Sequence, residues 1–246
     1  MAPAEGTPVT ERQGRVIAVC LSPRGGIPKF PQPQVVVGPH GVEGDYHSGA
    51  FRTSRRSGQQ VPNLRQVSVC AQEVYDLLET QLGVKVPPGG FSENVLVEGL
   101  GDLGDLEPGD LLRFSGGVEF QVTEQNVPCA NLSVYHPLVP KLVYGRRGVV
   151  GVVRTPGVLR PGESVTVVRA DEHVLVEAYA GAFYPQRPLR VLWRYRWWEV
   201  REVLEQGRGP GRFHFAVLLE DDVRVTLCYH EGQDRWTLRA LGRAAS

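Results

Sequence analysis

Four cysteines could supply a nucleophile or a soft metal ligand, and their surroundings differ. Cys20, Cys70 and Cys228 lie inside apolar, strand-like runs, where a buried and inert thiol is the ordinary outcome. Cys129 instead follows Val127-Pro128. Pro128 fixes its own φ and pushes Val127 towards extended backbone, so Cys129 is expected at a strand exit, partly exposed. With guanidinium groups nearby, such a thiol ionises more readily and becomes a nucleophile. A buried cysteine is the alternative reading of the same letters.

Three further stretches carry polar groups in suggestive patterns. In Gly41-Val42-Glu43-Gly44-Asp45-Tyr46-His47, extended backbone sends Asp45 and His47 the same way. The pair could orient an imidazole or bind a polar ligand. It reads equally as a glycine-rich turn in which Asp45 caps backbone N–H groups. Between Asp45 and Glu73 there is no carboxylate, while Arg52, Arg55, Arg56 and Arg65 all occur there. Arginine forks suit phosphate or carboxylate. The segment FRTSRRSGQQVPN reads as a long, mobile polar loop, either with a task or simply solvated. After Pro87-Pro88-Gly89-Gly90 comes Phe91-Ser92-Glu93-Asn94, where Glu93 and Asn94 could hydrogen-bond a heterocycle or brace a neighbouring loop. Asp45, His47 and Glu93 are too scattered for a metal-spacing argument. Gly99-Leu100-Gly101-Asp102-Leu103-Gly104 matches a dinucleotide fingerprint in letters only. No helix can begin at the Glu107-Pro108-Gly109 that follows, and residues 92–112 hold six acids and no base.

The elements that must position these groups read as mostly β with one or two helices. With 29 glycines and 19 prolines, short strands joined by turns are favoured over a helical bundle. Strands are predicted over 15–22, 65–70, 118–124, 149–153 and 164–169. One helix is predicted over 71–82, with Val74, Leu77, Leu78 and Leu82 on its apolar face and Gly83 stopping it. All four tryptophans lie after residue 190, so the chain divides into 1–171 and a small Trp/Arg-rich β domain, 180–246, with 179–188 as linker. In the second part, residues 188–200 read as one strand with Leu189, Val191, Trp193, Tyr195 and Trp197 on one face and Arg190, Arg194 and Arg196 on the other. Residues 213–220, 224–230 and 235–241 follow as a meander, a small sheet or barrel.

Composition narrows the function classes. Basic and acidic residues balance at 27 each, which argues against a nucleic-acid coat. No apolar stretch approaches a membrane span, the start lacks an apolar export core, and no C-x-x-C pair occurs. The expectation is a cytoplasmic protein with free thiols and no membrane partner.

Taken in order, Gly44-Asp45-Tyr46-His47, Arg65-Gln66-Val67-Ser68, Phe91-Ser92-Glu93-Asn94, Glu107-Pro108-Gly109-Asp110 and Pro128-Cys129 resemble the MOSC domain, over roughly residues 12–169. That domain is named for the C-terminal part of molybdenum cofactor sulfurases. The resemblance implies a β-barrel-like fold and a sulfur-bearing Cys129, either as a persulfide or as a molybdenum ligand. It implies that Asp45, His47, Glu93 and Asn94 line one cleft. Arg52, Arg55, Arg56 and Arg65 would then meet the phosphate of molybdenum cofactor (molybdopterin). The activity implied is sulfur transfer or cofactor-dependent redox chemistry, served in trans by a cysteine desulfurase or an electron-transfer protein. The tail departs from the helical extensions of some bacterial relatives, and no pyridoxal-phosphate domain fits in this length. A different class of function is a non-catalytic module. There the arginine-rich loop and Trp193, Trp197 or Trp198 would grip a polyanion or single-stranded nucleic acid.

Overall fold

The computed structural model describes residues 12–54, 57–180, 185–209 and 211–243. The chain divides into two compact units at Val168/Arg169.

The first unit is a closed seven-stranded barrel. Around it run Gln13–Leu21, Ser164–Val168, Leu111–Phe114, Glu119–Gln125, Val149–Thr155, Val67–Ala71 and Val95–Glu98, which pairs back onto Gln13–Leu21. The pairs are antiparallel except Val67–Ala71 with Val95–Glu98. That parallel pair needs a crossover, and the helix Gln72–Leu82 lies within it. Gly83 ends the helix in the left-handed region (φ 65°), as the sequence led one to expect. Val74, Tyr75 and Leu78 are the helix residues buried against the barrel. Closure leaves no free sheet edge in the barrel wall, and side chains such as Val19, Leu96, Leu112, Phe114 and Phe120 fill the interior.

Two small sheets sit outside the wall. One pairs Val35–Gly38 with Gly157–Leu159 and Gly41–Val42. The other is a hairpin of Phe51–Thr53 and Gln60–Pro62. The segment read from sequence as a long mobile loop therefore carries a short hairpin, with residues 55–56 outside the described residues. Its base is fixed by Asn63, whose Nδ2 donates to the carbonyls of His47 (2.8 Å) and Gly49 (3.0 Å).

The second unit is a closed six-stranded barrel of Glu172–Ala180, Pro185–Trp193, Arg196–Gly209, Arg212–Leu219, Val223–His230 and Arg235–Arg243. Residues 172–180 are thus a barrel strand; of the linker expected at 179–188, residues 179–180 and 185–188 are strand, and 181–184 lie outside the described residues. The run expected as one strand over 188–200 is a hairpin. Arg194 (φ 52°) and Tyr195 (φ 63°) form a two-residue turn, and Trp193 pairs with Arg196 across it. This geometry favours Asn-Gly, so Arg-Tyr gave no turn signal. Past the turn the alternation shifts, so Val191 and Trp193 face inward, Trp198 packs on them, and Trp197 faces out.

Candidate functional site around an exposed thiol

Cys129 is exposed, whereas Cys20, Cys70 and Cys228 are buried; all four are free. Its position follows from the local sequence. Glu119–Gln125 ends beside the barrel rim, Pro128 cannot donate to a further strand, and Cys129 (φ −107°, ψ 161°) caps the 3₁₀ turn Ala130–Val134. Burial pushes the Cys20 thiol up to about 12, and burial likewise raises Cys70. Those two thiols stay protonated and act as small apolar side chains.

The thiol segment is tied to two other predicted motifs. Arg65 donates from Nη1 to Glu124 (2.9 Å) and from Nη2 to Asn126 Oδ1 (3.0 Å), just before the Val-Pro-Cys turn. Arg147 donates from Nη1 to the Val127 carbonyl (2.8 Å) and from Nη2 to the Phe91 carbonyl (2.7 Å). Tyr135 donates to the Gly90 carbonyl at 3.0 Å. The 89–92 loop, the 127–129 turn and Arg65 therefore meet at one end of the barrel.

Glu93 and Asn94 stand inside that end and not on an open wall. Glu93 is fully buried and accepts from Tyr75 Oη (2.8 Å), Gly89 N (2.5 Å) and Phe91 N (3.0 Å). Burial raises its pKa, against the lowering effect of the hydrogen bonds from Tyr75, Gly89 and Phe91. It thus staples the glycine loop to the helix. Gly89 has to be glycine, because a Cβ there would run into the Lys29 carbonyl. Asn94 is 1% exposed; its Oδ1 accepts from Ser68 N (3.1 Å) and its Nδ2 donates to the Cys20 carbonyl (3.2 Å). Of the alternatives open for this pair, bracing is what the contacts support.

Asp45 is likewise buried. It accepts from Lys29 Nζ (2.9 Å), Ser22 N (3.1 Å) and His47 N (3.0 Å), and its carboxylate lies 3.6 Å from His47 Nδ1. Burial works to raise the Asp45 pKa. Contacts from His47 and Lys29 outweigh it and leave the carboxyl well below the usual carboxylate range. Both readings of the motif hold in part: Asp45 caps backbone N–H groups and also sits beside the exposed imidazole of His47. Lys29 was not singled out from the sequence, and it is the buried partner of this carboxylate.

Arg52 is exposed on the hairpin, and Arg55 and Arg56 lie outside the described residues. Among the described residues no group of three or more His, Cys, Asp or Glu could hold a metal ion. Sequence reasoning missed Arg147 and Ser92. Ser92 takes a positive φ of 67°, a costly conformation for a residue with a Cβ, and its buried hydroxyl has no partner. A serine directly after Gly-Gly-Phe gives no hint of that.

In the second barrel, Trp193 is buried and donates to Glu172 (2.9 Å), and Trp198 donates to the Trp193 carbonyl (3.1 Å). Arg190, Arg194 and Arg196 stack on Trp197, Trp193 and Trp198. Each ring that the nucleic-acid alternative would use for stacking thus carries one of the protein's own guanidinium groups. Among the described residues, no helix is long and apolar enough to cross a membrane.

Comparison with known proteins adds the following. Residues 48–166 match the family described as MOSC domain. The solved structure of the YuaD protein from Bacillus subtilis is similar, with a TM-score of 0.60 and 22% identity, covering 64% of this chain and 97% of that one. YiiM from Geobacillus stearothermophilus gives a TM-score of 0.48 and 22% identity over 63% of this chain and 75% of that one. YiiM from Escherichia coli gives 0.45 and 20% over 64% and 71%. The YuaD likeness is one of fold. A search of curated proteins found no match.

Proposed function

From the match of residues 48–166 to the MOSC domain family, we propose that this chain carries sulfur as a persulfide on Cys129. The observation that supports this reading most is that, of four free thiols, only Cys129 is exposed, on a turn held at the barrel rim. In the reaction, the Cys129 thiolate attacks the outer sulfur of a donor persulfide. A new S–S bond forms at Cys129, the donor's own S–S bond breaks, and the donor leaves as a thiolate, with the proton retained on the transferred sulfur. The donor is a protein in trans, of the cysteine desulfurase type. Incubating the full chain with a desulfurase and cysteine should add one sulfur, about 32 Da, to the Cys129 peptide. Cys129→Ser should show none. An unmodified wild-type peptide overturns the reading.

The family's association with molybdenum cofactor gives Cys129 a second use. Its thiolate is a soft donor suited to molybdenum. On the described surface, His47 and Arg52 are the predicted cofactor residues that face outward, able to meet an anionic pterin phosphate. Asp45, Glu93 and Asn94 would act behind them by holding the loops. When bound, the cofactor would supply redox chemistry, with electrons delivered by a partner. Molybdenum content of the purified protein, compared with Cys129→Ser, tests this use, and equal content in both sinks it.

A further inference from the structure

We infer that Arg147 is the positioning residue of the thiol, a tie-bar that sets where Cys129 is presented. This rests on the persulfide reading above and deepens it.

Arg147 is 7% exposed, and its guanidinium binds only neutral carbonyls, those of Val127 and Phe91. Among the described residues it has no carboxylate within ion-pair distance, and its buried Nε has no hydrogen-bond partner. Burying a cation without an anion is costly, and two carbonyls could be satisfied by a neutral amide or by water. What a guanidinium adds is a rigid, planar fork that holds two acceptors at a fixed separation.

The two acceptors are the ones that matter to the thiol. Val127 lies two residues before Cys129. Pro128 has no N–H, and the Cys129 carbonyl is used locally by Leu132 N at 3.2 Å. Among the described residues, the bond from Arg147 Nη1 is the one hydrogen bond from segment 127–129 to the barrel beyond it. On the other side, Phe91 precedes the strained Ser92 and the Glu93 staple. Arg147 itself is fixed from behind. Its carbonyl accepts from Cys70 Sγ at 2.9 Å, and a Cβ at the next residue, Gly148 (φ 97°), would collide with the Val69 carbonyl. The strand Val67–Ala71 thus anchors the bar, and the bar anchors the thiol turn.

The test compares Arg147→Met with wild type in the full chain. Maleimide labelling, which needs only an accessible thiol, should still modify Cys129 and leave Cys20 and Cys70 untouched. Persulfide formation on Cys129, which needs the thiol held against a partner, should slow about tenfold to a hundredfold. Guanidinium ion at a non-denaturing concentration should restore part of that loss. Amide exchange in peptides covering 126–135 should speed up about tenfold, as expected for one lost hydrogen bond, with 67–71 unchanged. Wild-type rates of persulfide formation and exchange in the variant overturn the inference. If wild type itself accepts no sulfur, the persulfide reading fails, and the exchange measurement alone decides on Arg147. If Arg147→Met exposes Cys20 and Cys70, Arg147→Lys replaces it. Lysine keeps the charge but has no fork to hold both carbonyls, and unchanged exchange at both 126–135 and 89–94 in that variant overturns the inference.

Discussion

The seven-stranded barrel buries Lys29, Asp45, Glu93, Asp110 and Arg147, and the first three cluster with Arg147 around the loops at one end. The six-stranded barrel encloses Val191, Trp193, Phe213, Phe215, Val217, Leu219, Val225, Leu227 and Leu238. Among its described residues the buried polar one is Thr237, and its charges pair on the outside, as Arg201 does with Asp222 at 3.0 Å. The difference shows what each barrel is built for. Apolar filling is enough to hold a wall together. Ionic groups add cost unless every partner is in place, so a barrel that buries several is holding particular loops in particular places.

The sharpest way to break this contrast is to remove one of the buried ions. Asp45→Ala leaves Lys29 buried without an anion and should cost the first barrel about 3–5 kcal/mol. Adding Lys29→Met should recover part of that loss. Thiol labelling along a urea series reads it, with Cys20 and Cys70 reporting the first barrel and Cys228 the second. A loss seen at Cys228 instead would dissolve the contrast.

The same pair should make the first barrel acid-sensitive. The folded-state pKa of Asp45 lies below its unfolded value, so its stabilisation is complete above about pH 4 and is lost as pH falls towards the folded pKa. Asp45→Asn should remove that portion of the acid dependence, while the second barrel keeps the same profile in both proteins.

A cavity is the matching perturbation of the second barrel. Leu227→Ala should cost it about 2–5 kcal/mol, with no pH dependence and no change at Cys20 or Cys70. The smallest effect runs in the opposite direction. Replacing Arg194-Tyr195 by Asn-Gly relieves two left-handed residues and should stabilise the second barrel by about 1 kcal/mol, read from the urea midpoint.

Much of this was legible in the chain, and what was not has a common cause. The helix 72–82 announced itself through apolar spacing and Gly83, and Cys129 through its proline, because both signals are local. The short wall strand Leu111–Phe114 was not read, since four residues carry too little alternation. The role of Arg147 depends on carbonyls 20 and 56 positions away, which only barrel closure brings within reach. Glu93 and Asn94 were found as a motif, but their direction was not, because alternation along a strand cannot say which buried groups will meet. Trp193 and Trp197 were placed on one face because Arg-Tyr lacks turn chemistry.

The uneven placement of indole rings has a practical outcome. All four tryptophans belong to the unit after Val168, and the barrel bearing Cys129 has none. Light absorbed beyond the tyrosine band therefore excites one barrel alone. Its emission is a built-in optical label for the tail, dark to the other half, and a tryptophan placed in the first barrel would be the only new source of signal.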